Sequence, residues 1–111
     1  MKRGDVWLVD FGVPTGPEQA GLRPAILLQE DNLTTGLTTV LVIPLTTNLR
    51  RLALACTVKI PAGEAGLDRD SVALCHQLQA RGKARLTDRL GSLPEERLAE
   101  VEECVLNTLG V

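Results

Sequence analysis

This 111-residue chain offers two side chains of types that can handle a phosphate: Arg23, directly after a glycine- and proline-rich stretch, and Thr46, close behind an apolar run. A guanidinium fork can hold two phosphate oxygens at once, and a threonine hydroxyl can donate a further bond as charge develops. Attack of a ribose 2′-OH on the adjacent phosphate needs no metal and no external nucleophile. It needs only proton transfer and stabilisation of a doubly charged phosphorane. The single histidine, His76, excludes a two-histidine acid/base pair within one chain. Its neighbour Cys75 would point to the opposite face of a strand, which disfavours a Cys/His couple. There is no G-x-G-x-x-G, P-loop, H-E-x-x-H or G-x-S-x-G pattern, and no cysteine cluster with metal-ligand spacing, so neither a cofactor nor a metal is expected. Residue type alone does not single out Arg23 from twelve basic residues, or Thr46 from the other threonines.

Composition bounds the class. An apolar fraction of 44% and a mean hydropathy near zero fit a globular chain of one domain, residues 1 to 111. No apolar run nears the roughly 18 residues of a membrane span. Met1-Lys2-Arg3 leads straight into Gly4-Asp5 and not into an apolar stretch, so the sequence reads as cytoplasmic. Cys56, Cys75 and Cys104 are odd in number and sit among apolar neighbours, as reduced core thiols would. The net charge is −2, yet residues 49 to 91 hold eight basic and four acidic side chains, while residues 92 to 111 hold one and five. Arg50, Arg51, Lys59, Arg69, Arg81, Lys83, Arg85 and Arg89 in that basic middle are candidates for tracking a phosphate backbone.

The elements that position these residues follow from periodicity. Residues 4 to 11 read as a strand, and residues 12 to 21, with three glycines and two prolines, as a long loop. Ala25 to Gln29 and Thr38 to Ile43 are buried strands, followed after Pro44 by a polar break. Leu52, Leu54, Cys56, Val58 and Ile60 alternate with polar or small residues and predict a half-buried strand. A turn at 62 to 66, a strand over 71 to 75 and another over 83 to 86 complete the β reading. Ser92-Leu93-Pro94-Glu95 predicts a capping box. Behind it, Leu98, Val101, Val105 and Leu109 form one helical stripe, Glu96, Glu100 and Glu103 face water, and Gly110 ends the helix. The expected fold is mainly β in the α+β class: a small barrel or strongly bent antiparallel sheet with a C-terminal α-helix.

The run Arg3-Gly4-Asp5-Val6-Trp7-Leu8-Val9-Asp10-Phe11, followed by Gly16, Glu18-Gln19, Gly21 and Arg23-Pro24, resembles the opening of MazF/PemK/Kid-type toxins. Pro44-Leu45-Thr46-Thr47-Asn48, Gly66-Leu67-Asp68-Arg69-Asp70-Ser71 and Lys83-Ala84-Arg85-Leu86 are similar to later blocks of that family, in the same order. The resemblance spans residues 3 to 109. It implies an SH3-like barrel with a C-terminal helix, a homodimer, sequence-selective cleavage of single-stranded RNA such as mRNA without a metal, and a cognate antitoxin that presents an acidic, partly disordered segment. On the matching positions Arg23 and Thr46 would be catalytic, with Glu18 and Gln19 shaping the RNA groove and Thr47, Asn48, Arg50, Arg51, Arg69, Gln77, Lys83 and Arg85 binding RNA. The chain departs from the family pattern at Pro17, where many relatives carry serine, and at His76, where a carboxylate or another polar residue is expected.

Two other functions share such a fold. A CcdB-like gyrase poison is disfavoured because leucine, not an aromatic residue, precedes Gly110. A catalytically silent toxin-like binding domain would keep the barrel and lose the chemistry.

Overall fold

Apolar and β-branched runs become strands wherever a neighbouring run can complete the backbone ladder. In the computed structural model, which describes residues 1 to 13 and 21 to 111, one seven-stranded antiparallel sheet forms. Its strands are β1 (Asp5–Asp10), β2 (Leu22–Leu27), β3 (Thr39–Thr46), β4 (Thr57–Ile60), β5 (Ser71–Leu74), β6 (Gln79–Gly82) and β7 (Leu86–Ser92). A short helix α1 (Asp31–Gly36) joins β2 to β3, and α2 (Glu95–Leu109) closes the chain. The order is β4-β5-β3-β2-β1-β7, with β6 also on β3. The ends β4 and β7 are not paired with each other, so the sheet is bent and open, the second of the two expected forms.

The central strand β3 causes the bend. Thr39 to Val42 pair with β6, whereas Leu45 and Thr46 pair with β5. Pro44, which has no N–H for a ladder, lies where the partner changes. Strand alternation gives the sheet two apolar faces. Val6, Ile26, Ile43, Leu45, Ala73 and Cys75 pack under Val101 and Val105 of α2. On the other face Val9, Phe11, Ala25, Leu27, Val40, Val42 and Leu86 form a second cluster, with Trp7 against it. The Glu64–Gly66 turn presses onto β7 so closely that a Cβ at Gly91 would stand 2.6 Å from the Ala65 carbonyl carbon. Arg97 of α2 clamps that turn with a two-pronged ion pair to Glu64, at 2.9 and 3.0 Å.

Several elements differ from the sequence reading. Between β2 and β3 the chain winds into α1, because Glu30 caps it by accepting from the N–H groups of Asn32 and Leu33. The alternation over residues 52 to 60 is strand only from Thr57; Leu49–Ala53 is a 3-10 turn that leaves Leu52 and Leu54 exposed. Lys83–Arg85 is likewise a 3-10 turn between β6 and β7. The capping box is absent: Pro94 precedes the helix without a side-chain cap, and Ser92 Oγ donates to Asp5 instead. In the stripe, Val101 and Val105 are buried, but Leu109 is exposed. Gly110 ends α2 at φ +77°, as expected. Residues 14 to 20 of the long loop lie outside the described residues.

Candidate functional site

The β2–β3 ladder runs Leu27–Val42, Ile26–Ile43, Ala25–Pro44. The ladder ends at Ala25–Pro44; carried on by two residues, the same register would bring Arg23 opposite Thr46. Alternation puts both on the side of Ala25 and Val42, away from α2. Arg23 is exposed and pairs across β1 with Val9. Thr46 closes β3 at 8% exposure, and its Oγ1 accepts from the N–H of Asn48 at 3.2 Å. Asn48 repeats the device one step on: its Oδ1 accepts from Arg50 N and caps the Leu49–Ala53 turn. Two consecutive side-chain turns therefore present Arg50 and Arg51 next to Thr46, with Thr47 and Asn48 exposed between them.

On the other edge of β3, Thr46 pairs with Val72, so the exposed Arg69 just before β5 falls beside the Thr47–Asn48 turn. Arg23, Thr46, Thr47, Asn48, Arg50, Arg51 and Arg69 thus share one end of the sheet. Lys83 and Arg85 form a second group on the turn before β7. Arg85 reaches Asp10 at the root of the β1–β2 loop, with Nη1 3.3 Å from Oδ2. Lys83 bonds through its backbone to Thr38 O, at the opposite end of β3 from Thr46. Gln77 is half-buried on the Cys75–Gln77 turn that links β5 to β6. Glu18 and Gln19 lie outside the described residues, as does Pro17.

A basic residue that the motif reading left out shares the Arg23 face. Arg81 pairs with Val40, and its guanidinium stands 5.3 Å from the centroid of the Phe11 ring. Arg81 and Phe11 are far apart in sequence, so only the register reveals the contact. Trp7 is not presented as a stacking platform: half-buried, it donates from Nε1 to Asp5 at 3.4 Å. Cys75 is buried while His76 is exposed; both belong to the 3-10 turn after β5, not to the strand over 71 to 75 that the sequence suggested. A cavity of about 420 Å³ lined by Met1, Lys2, Arg3, Asp5, Arg89 and Ser92 lies at the other end of β1 from the Arg23 site. Among the described residues no group of three or more His, Cys, Asp or Glu side chains is arranged to hold a metal ion, and no helix is long and apolar enough to cross a membrane.

The family pattern described as PemK-like, MazF-like toxin of type II toxin–antitoxin system matches residues 2 to 109. The chain belongs to this family. Endoribonuclease EndoA of Bacillus subtilis (strain 168) is 34% identical over 111 residues, covering 100% of this chain and 96% of that one. Among solved structures, MazF (Form-I) from Deinococcus radiodurans superposes with a TM-score of 0.86 at 23% identity, covering 100% of this chain and 97% of that chain. An endoribonuclease in complex with its cognate antitoxin from Mycobacterial species gives a TM-score of 0.84 at 20% identity, covering 100% and 96%. At these identities the two structures establish the fold, and the bent open sheet with its C-terminal helix is a MazF-like one.

Proposed function

We propose that this chain is a toxin endoribonuclease, acting as a single domain over residues 1 to 111 on single-stranded RNA in the cytoplasm. Family membership supports the activity, and the β2–β3 register, which continued past Ala25–Pro44 would bring Arg23 opposite Thr46, supports the site. The RNA backbone crosses the end of the sheet bearing Thr47, Asn48, Arg50, Arg51 and Arg69, with Gln77, Lys83 and Arg85 contacting it further along and Glu18 and Gln19 shaping the groove from the loop. The ribose 2′-OH attacks the adjacent phosphorus. Arg23 holds the non-bridging oxygens of the phosphorane through its fork, and the Thr46 hydroxyl donates to the same charge. A guanidinium holds its proton too tightly to serve readily as a general base, so its part is electrostatic. Because the nucleophile belongs to the substrate, the reaction proceeds without a metal.

The mycobacterial relative was solved with its cognate antitoxin, and we extend that partnership to this chain. An acidic, partly disordered antitoxin segment lies over the same arginines and competes with RNA, and the toxin works as a homodimer. The test is incubation of purified protein with a long single-stranded RNA in EDTA. Cleavage at a recurring short sequence, lost in Arg23→Ala, is the expected result. Intact RNA, or cleavage unaffected by that substitution, overturns the reading.

A further inference from the structure

Three thiols and the single histidine gather where α2 crosses β4 and β5. The β4–β5 ladder pairs Thr57 with Leu74, and one step further Cys75 donates its N–H to Cys56 O at 3.1 Å. Cys56 and Cys75 therefore stand next to each other where the ladder runs out, with Cys75 on the core under α2. For a hydrogen-bonded antiparallel pair the Cα separation is about 5.5 Å, inside the range a disulfide spans. Cys104 packs on the same core and lines a groove of about 260 Å³ with Ala55, Thr57, Val58, Glu100, Glu103 and Asn107. From outside, His76 turns back to Cys56, with Sγ 3.1 Å from Nδ1. When that nitrogen is unprotonated, the thiol is the donor. These donors do not converge on a point a metal could occupy, which leaves chemistry at sulfur itself.

We propose that Cys56 is an oxidation site: its sulfur attacks hydrogen peroxide while His76 relays the thiol proton, and the product closes to a disulfide with Cys75. In the first step an S–O bond forms and the O–O bond breaks. The sulfur loses two electrons, peroxide gains them, and the relayed proton leaves with the departing hydroxide as water. In the second step the Cys75 sulfur displaces the hydroxyl of the Cys56 sulfenic acid, and the Cys75 proton departs with it as a second water. Burial first, then the neighbouring thiols of Cys104 and Cys56, push the Cys75 thiol well above its ordinary value. Cys75 is thus not the thiol that initiates, and because it closes the disulfide slowly the sulfenic acid persists long enough to be trapped.

The test is peptide mapping of the whole protein after hydrogen peroxide, with and without dimedone. Expected are dimedone addition at Cys56 at least about tenfold faster than at Cys104, and, without dimedone, a Cys56–Cys75 link that dithiothreitol reverses. His76→Gln slows addition at Cys56 by about tenfold, short of the 10² to 10⁴ of a fully positioned base because the imidazole is exposed, and leaves Cys104 unchanged. Equal rates at the two cysteines, a rate at Cys56 indifferent to His76→Gln, or a disulfide to Cys104 in place of Cys75 overturns the proposal. RNA cleavage is not the readout, so the result stands apart from that of the cleavage test.

Discussion

Ser92 Oγ donates to Asp5 Oδ1 at 2.7 Å, joining the end of β7 to the start of β1. Asp5 is 3% exposed and also accepts from Lys2 N and Trp7 Nε1, with Arg89 3.4 Å away. Burial alone would raise its pKa, but the hydrogen bonds from Ser92, Lys2, Trp7 and Arg89 together outweigh it and hold the carboxyl below its ordinary value. A depressed folded value means that the unfolded chain binds the proton more tightly. The stabilisation is therefore complete above about pH 4 and is lost as pH falls through the folded value. Asp5→Asn is expected to cost about 1 to 3 kcal/mol at pH 7. In urea titrations the gap between the two proteins should narrow below about pH 4, and a gap constant down to acid pH would show that the charge is not what matters.

The same serine shows what local sequence can and cannot convey. Ser92 and Glu95 have capping-box spacing, but a buried carboxylate 87 residues away is the partner that holds Ser92 in place. Periodicity located β1, the buried part of α2 and its Gly110 stop, because each depends on burial of one face of one element. It misjudged residues 52 to 60, where exposed Leu52 and Leu54 mimic the alternation of a strand that begins only at Thr57, where pairing with β5 starts. Partner exchange along β3 is likewise invisible locally, since β5 and β6 claim its two halves from later in the chain. At the site, motif resemblance pointed to Arg23 and Thr46, which the β2–β3 register continued past Ala25–Pro44 would bring opposite each other. Local sequence could not announce that His76 reaches Cys56, or that Arg81 lies over Phe11.

Gly66 and Gly91 are expected to be the least replaceable glycines. Gly66 sits at φ +73° with the Leu90 carbonyl in the space a Cβ would take, and a Cβ at Gly91 meets the Ala65 backbone at 2.6 Å. Backbone cannot swing aside as a side chain can. Either alanine substitution should destabilise by about 2 to 4 kcal/mol in chemical denaturation. Gly82→Ala is the control, because nothing lies within 4 Å of its Cβ position and its φ is not positive. Equal stability losses at all three positions would contradict the close-approach argument.

Binding to a non-cleavable single-stranded RNA should weaken as salt rises. Each phosphate contact removed, by Arg50→Gln, Arg51→Gln or Lys83→Gln, is expected to flatten the plot of log affinity against log salt by about 0.7. The two arginines share the Asn48-capped turn beside Thr46, while Lys83 belongs to the group near Arg85. A change at the arginines alone would confine the RNA to the Arg23 end of the sheet. No change at any of the three would move the groove elsewhere.

The last expectation concerns the reacting phosphate. Arg23 is exposed, so Arg23→Ala and Arg23→Lys should leave stability near that of the parent while lowering single-turnover RNA cleavage by about 10² to 10³, the scale for loss of one transition-state donor. Lysine keeps the charge but not the fork, and it should not rescue. Thr46 is a different case from a simple strand-end residue, because it is 8% exposed and holds the Asn48 N–H. Thr46→Ala should therefore cost about 1 kcal/mol of stability in addition to its effect on rate. Thr46→Ser retains the hydroxyl for both tasks, so it should recover most of the cleavage and of the stability. If Thr46→Ser recovered stability alone, the hydroxyl would be serving the turn and not the phosphate, and Arg23 would stand without its partner.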